Sequence, residues 1–297
     1  MKTMAMGRLL RGILMNGQAR VLLCDTKDMV QAARETHQAS RVCTAALGRA
    51  ISGVAMLTAA AEEEANSVTM TIKGGGPAGS LVAVAHGRSI KAYIDHPQIE
   101  LPPKADGKLD VGGALGKDGR LTVVRDLGLR EPYVGQTPLQ SGEVADDLAY
   151  YCTMSEQQPT LCALGVLAGD MVLSAGGLIV QPLPGCEEET LSALELRAPI
   201  YAGISAHLAE STPEQLFESF FRGLSPEIIA DETLAYTCDC SRERMEKVLI
   251  SLGREELDDM ISRDHGAEIT CYFCREQHKF DENELRQLLK QATSVDE

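Results

Sequence analysis

Apolar and polar residues alternate on both sides of Asn16-Gly17 in "GILMNGQARVLLCDT", the pattern of two strands joined by a tight turn. Residues 27–37 and 38–64 follow with helical spacing, the second stretch rich in Ala and ending in acids. "SVTMTI", "SLVAVA", "SIKAYI" and "RLTVVRDL" then read as short strands separated by glycine turns. From Ser141, "SGEVADDLAYYCTMSEQ" predicts a helix with a Ser cap and an apolar stripe at Val144, Leu148 and Tyr151. Residues 161–180, "LCALGVLAGDMVLSAGGLIV", are apolar enough to raise the question of a membrane span. Asp170 at the centre would cost roughly 2.5–3.5 kcal/mol in a bilayer. Two buried strands around a Gly169-Asp170 turn suit the segment better. Strands and helices in separate runs predict an α+β domain over residues 1–185.

"PLPGCEEETL" marks a boundary. Residues 186–236 predict a helical linker: a helix over 187–209 broken at Pro199, then a capping box at Thr212-Pro213-Glu214-Gln215 opening "PEQLFESFFRGL". Apolar stripes at Leu191 and Leu194, at Ile200, Ile204 and Leu208, and at Leu216 and Phe220 predict a docked face. The tail, residues 237–297, predicts small helices. One runs from Ser241 to a stop at Gly253, a second follows, and a third starts from an Asp281/Glu284 cap before Leu285, Leu288 and Leu289.

Charge sharpens this division. The chain of 297 residues has a net charge of −15, which argues against a general nucleic-acid binder. Residues 187–237 hold ten acids against two bases, and residues 238–297 hold fifteen against nine, leaving residues 1–186 near neutrality. The amino-terminal twenty residues lack a secretory apolar core, so the expectation is a cytoplasmic chain with reduced thiols. Cys24, Cys43, Cys152 and Cys162 read as small buried hydrophobes. Cys186 reads as exposed, with acidic neighbours that disfavour its thiolate. "GGGPAG" (Gly74, Gly76, Gly79) formally matches a dinucleotide fingerprint. It is followed by a strand pattern rather than the helix that phosphate binding needs, and there is no Walker lysine. Asp95-His96 reads as a turn before Pro97. No catalytic constellation stands out, so the expectation is a non-enzyme.

The chemistry concentrates in four cysteines. "TCDCSRERMEK" places Cys238 and Cys240 one residue apart, and "ITCYFC" places Cys271 and Cys274 two apart, with 30 residues between the pairs. Two thiol pairs in short segments around a small folded insert are what tetrahedral zinc requires. His265 and His278 could substitute, but four cysteines complete the shell, and both histidines read as surface residues. Structural zinc contributes roughly 10–16 kcal/mol of folding energy in small zinc peptides, far more than a ~60-residue tail builds from its own core. Removing the metal should therefore unfold the tail. A thiol oxidoreductase using Cys271 and Cys274 would need a βαβ pattern that is missing here. A constitutive zinc-stabilised adaptor remains the alternative.

The CxC…CxxC tail, "DLGLREPYVGQTPLQSGEVADDLAYY" (126–151) and "SEQQPT…LGVL…AGGLIVQPLPG" resemble the heat-shock protein 33 family of redox-regulated bacterial holdase chaperones. The resemblance runs over nearly the whole chain. It implies zinc held by Cys238, Cys240, Cys271 and Cys274 in a reduced, inactive state. It also implies that peroxide or hypochlorous acid pairs Cys238 with Cys240 and Cys271 with Cys274, expelling the metal. Tail and linker then unfold, and apolar surface binds unfolding client proteins without ATP, typically in a homodimer, with neither nucleic acid nor membrane as partner. Cys271 and Cys274 have fewer acidic neighbours than Cys238 and Cys240, which flank Asp239, so the CxxC pair is expected to oxidise first.

Overall fold

A computed structural model describes residues 5–61 and 67–293, and the chain divides into two compact units, Met1–Thr237 and Cys238–Glu297. The first unit opens with β1 (Ala5–Leu14) and β2 (Ala19–Asp25) around a turn in which Asn16 and Gly17 both take positive φ (56° and 92°). That is the conformation Asn-Gly supplies at low cost. Helices α1 (Lys27–His37) and α2 (Arg41–Ala60) follow, and the acids expected at the end of the second helix lie outside the described residues. Next come β3 (Ser67–Lys73), β4 (Leu81–His86), β5 (Ser89–Ile94), a short α3 (Val111–Leu115), β6 (Arg120–Asp126), β7 (Tyr133–Pro138) and α4 (Ala145–Met154). Strands β8 (Leu161–Ala168) and β9 (Val172–Pro182) meet at the Gly169-Asp170 turn.

Residues 186–236 contain α5 (Glu188–Glu195), α6 (Ala198–Tyr201), α7 (Ile204–Glu210) and α8 (Pro213–Phe220), then the strand β10 (Glu227–Tyr236). The strand corrects the all-helical expectation for this stretch. Two of its acids are satisfied by partners in the fold: Asp231 pairs with Arg8 at 2.6 Å, while Glu232 pairs with Arg11 at 3.2 Å and Arg88 at 3.1 Å. A strand whose polar residues find cross-strand cations needs fewer apolar ones to hold its place.

The sheet has ten strands in the order β7-β6-β3-β4-β5-β10-β1-β2-β9-β8. β10 lies antiparallel to β1 and parallel to β5, so it joins two antiparallel halves. Alternation along each strand then decides which core a residue enters. Leu9, Leu22, Cys24 and Ile179 face α1 and α2, whereas Leu10, Leu14, Val21, Leu23, Leu178 and Val180 face the opposite side. On that side they meet Leu194, Tyr201, Ile204, Leu208, Leu216, Phe217, Phe220 and Phe221 from the segment after residue 186. Three of the chain's five phenylalanines are in this patch, so an aromatic-poor sequence has placed most of its largest side chains here. The capping box on α8 forms both of its bonds, Thr212 N–H to Gln215 Oε1 (3.0 Å) and Gln215 N–H to Thr212 Oγ1 (3.4 Å).

One further expectation changes, the Ser141 cap on α4. Helix α2 is long and apolar enough to cross a bilayer, but it is the central core helix, with 83% of its most apolar window buried. Ser141 does not cap α4. The cap position is Val144, at φ 62°, and Asp147 Oδ1 instead accepts from the Gln140 and Ser141 amides at 2.6 and 3.1 Å. The 74–79 loop is a β3–β4 connection whose Gly76 and Ala78 amides donate to Leu115 and Ala114 carbonyls at 2.9 Å, so they are not directed at a ligand. A Cβ on Gly76 would lie 2.4 Å from the Ala114 oxygen, which explains the glycine by close backbone approach.

Candidate metal and redox centre

In the second unit, α9 (Arg242–Ser251) starts at Ser241, whose hydroxyl accepts from the Arg244 amide at 3.3 Å. α10 (Arg254–Asp259) runs into a wider helical turn at Met260–Asp264. His265 then reverses the chain at φ 53° into the hairpin β11 (Gly266–Thr270) and β12 (Gln277–Asp281), and α11 (Glu282–Thr293) closes the unit. The expected cap on α11 is present as a reciprocal pair: Glu284 N–H to Asp281 Oδ1 and Asp281 N–H to Glu284 Oε2, both 2.9 Å. A small core of Leu249, Leu257, Ile261, Phe280, Leu285 and Leu288 sits between these elements.

The hairpin is what shapes the CxxC. Cys271 and Cys274 occupy its turn, where the Cys271 amide donates to the Glu276 carbonyl and the Arg275 amide to the Cys271 carbonyl, both at 2.9 Å. Arg275 takes φ 59° to make that tight reversal. The CxC lies just before α9, and Arg242 fastens that region to the hairpin: its guanidinium reaches the Lys279 carbonyl (3.0 Å) and Glu284 (2.5 Å) and lies 4.4 Å from the Phe280 ring centroid.

The four sulfurs lie within 4.8 Å of one another. Cys238 Sγ is 3.7 Å from Cys271 Sγ, and Cys240 Sγ is 3.3 Å from Cys274 Sγ. These separations are too long for a disulfide of ~2.05 Å. They approach the ~3.8 Å edge of a sulfur tetrahedron around a metal with ~2.3 Å bonds. All nine cysteines are free, so the cluster is a reduced set of thiols that could hold a metal ion. Both of these contacts run between the two pairs.

The close sulfurs shift one another's acidity in opposite directions. The hydrogen bond from Cys238 pulls the Cys271 thiol down to about 4, and burial acts against that. The same bond, with burial, drives the Cys238 thiol far up. Burial foremost raises Cys274 to about 11.

The remaining cysteines divide differently. Cys24, Cys43 and Cys152 are buried, Cys162 is partly buried, and Cys186 is half-buried rather than exposed. Burial raises Cys24 and Cys152 to about 12 and raises Cys43 and Cys162 as well, so these are inert packing groups. Burial and then the Glu187 and Glu188 carboxylates raise Cys186. His265 is exposed beside Glu282 at 3.4 Å, as a surface residue should be. His278 is not a surface residue: it is 9% exposed, because β12 alternates and places His278 on the same side as Phe280. The strand pattern in "QHKFD" was the available signal.

Comparison with known proteins agrees across the whole chain. A sequence model of the Hsp33 protein family matches residues 7–281. The "33 kDa chaperonin" of Alkaliphilus oremlandii is 42% identical over 283 residues, covering 94% of this chain and 95% of that protein. The protein of the same name from Acetivibrio thermocellus is 42% identical over 286 residues, covering 95% and 96%. Among solved structures, the 33 kDa chaperonin (heat shock protein 33 homolog) of Thermotoga maritima superposes with a TM-score of 0.86 at 36% identity, covering 99% of both chains.

Proposed function

This chain belongs to the Hsp33 family of chaperones, and from that membership we propose that it is a redox-regulated, ATP-independent holdase of the bacterial cytoplasm. The observation that carries the reading is the convergence of Cys238, Cys240, Cys271 and Cys274 to within 4.8 Å in a unit with a core of few residues. Zinc is the metal that fits a reduced four-thiolate set, and when bound it supplies folding energy to the tail. Arg242 and the hairpin turn hold the donors in place, with Cys271 buried and the other three sulfurs partly so.

Oxidation acts on the donors. Peroxide takes an electron pair from one sulfur to give a sulfenic acid and water. A second thiol attacks that sulfur, the S–S bond forms, and a second water leaves. A sulfur in a disulfide no longer donates as a thiolate, so pairing Cys238 with Cys240 and Cys271 with Cys274 removes the ligand set. The tail then loses the larger part of its stability. In the redox-labile linker of this reading, residues 186–236, the helices α5–α8 lift from the sheet. Their stripe of Tyr201, Phe217, Phe220 and Phe221, and the apolar sheet face beneath it, become a surface for unfolding clients. A segment net charge of −8 keeps the opened form soluble. The active form is a homodimer in this reading. It binds neither nucleic acid nor membrane and catalyses no reaction.

The test is light scattering from a chemically unfolded client diluted into buffer, comparing reduced, zinc-loaded protein with protein treated with peroxide at elevated temperature. Suppression only after oxidation supports the switch. Equal behaviour in both states overturns it in favour of a constitutive zinc-stabilised adaptor.

A further inference from the structure

Between Leu194 and Ile204, both buried, Tyr201 is the single buried residue. Helix α6 is one turn long, contains Pro199 and has no side-chain cap at Arg197. Leu196 and Ile200, the apolar neighbours, are exposed. Apart from a 3.3 Å bond from the Arg197 guanidinium to the Arg222 carbonyl, this stretch is fastened by the Tyr201 ring, whose centroid lies 5.3 Å from that of Phe220 and 5.7 Å from that of Phe221. The hydroxyl on that ring is different. Tyr201 Oη is buried with no hydrogen-bond partner, whereas Tyr236 Oη donates to the Ala92 carbonyl at 3.2 Å. Buried polar atoms ordinarily find a partner. A hydroxyl that finds none has given up its bonds to water for nothing, and Phe would fill the same space without that loss.

We infer that the Tyr201 hydroxyl is a release setting for the docked linker: the ring holds residues 195–203 down while the buried oxygen opposes that hold. This rests on the reading of α5–α8 as a cover that oxidation lifts. Docking leaves the hydroxyl's hydrogen bonds unmade, and lifting returns them through water. The opened state is therefore favoured by about five- to hundredfold over that of a chain with Phe at this position. A smaller loss of support from the tail then suffices to open the cover. The two parts of one side chain carry opposite signs. Losing the whole side chain should loosen the linker, as loss of a buried ring does. Losing the oxygen alone should tighten it.

The experiment compares the native full-length chain, reduced and zinc-loaded, with Tyr201→Phe and Tyr201→Ala. Hydrogen exchange is read by mass on peptides covering residues 195–204, with peptides from α2 as reference. Tyr201→Phe should slow exchange over 195–204 by about fivefold or more and leave α2 unchanged. Tyr201→Ala should speed it. Unchanged or faster exchange in Tyr201→Phe overturns the inference, because the hydroxyl is then satisfied in the docked state. Slower exchange in Tyr201→Ala overturns the division between ring and oxygen. A second measurement treats the native chain and Tyr201→Phe with the same peroxide at the same elevated temperature, following zinc release with a chromogenic chelator and client scattering in parallel. Zinc release should keep the same time course, while suppression of scattering lags further behind it in Tyr201→Phe. An equal lag in both proteins overturns the regulatory role even if exchange has slowed. A native chain that gains no suppression on oxidation would instead refute the holdase reading beneath, on which the exchange comparison does not depend.

Discussion

Replacing Phe217 with Ala should release the linker without any oxidation. The ring is fully buried, with its centroid 5.4 Å from that of Phe221. It fills a slot opened by Gly12 on β1, where an added Cβ would lie only 2.1 Å from Phe217 Cζ. Truncating a buried Phe in such a site costs about 3–5 kcal/mol, since transfer and cavity terms add. At ~1.4 kcal/mol per decade, the opening equilibrium of the docked segment should rise by roughly two to three and a half orders of magnitude if it opens as a local unit. Hydrogen exchange of the reduced, zinc-loaded variant, read by mass on peptides from residues 198–224, measures that directly. Protection there should fall by this factor while peptides from α2 keep theirs, and the reduced variant should suppress client scattering. Leu196→Ala serves as control, because that side chain is 84% exposed and its loss should change little. Unchanged protection in 198–224, or equal loss in α2, would refute the claim that Phe217 anchors a separately opening segment. Local opening without holdase activity would refute the claim that this packing is the restraint.

Other perturbations test other joints of the argument. Stripping metal from the reduced chain with a chelator should unfold Cys238–Glu297, seen as exchange of α9 and α11 amides, while α2 stays protected. During limited peroxide exposure, mass mapping should find Cys271–Cys274 before Cys238–Cys240, because Asp239 and Glu276 bring negative charge to the CxC side. Burial pushes the Glu143 carboxyl up, but Lys104 and Arg49 outweigh it and leave the group below its ordinary value of 4.5. A carboxyl depressed in the folded state contributes stability present above about 4.5 and lost as pH falls through its folded value, so Glu143→Gln should flatten the acid limb of urea-melt stability below pH 4.5. Gly76→Ala should lower the urea midpoint, by about 1–3 kcal/mol in stability, as its Cβ meets the Ala114 carbonyl.

The parts of this molecule legible in its sequence are those where one residue type has one physical use. Asn16-Gly17, Thr212 with Gln215, and Asp281 with Glu284 all formed the turn or cap their chemistry implies. The paired cysteines converge because short spacings around a small insert leave the sulfurs few other arrangements. What escaped were features set by partners distant in sequence. β10 carries Asp231 and Glu232 where a strand pattern wants apolar residues, and only Arg8, Arg11 and Arg88 make those acids acceptable. Ser141 does not cap α4, because Asp147 inside the helix reaches back to the Gln140 and Ser141 amides and the cap position falls to Val144. His278 looked like a surface residue because "QHKFD" is polar when read as a loop; as a strand it alternates, and the histidine turns inward with Phe280. The same hairpin that tightens the CxxC turn therefore also buries an imidazole beside Cys240.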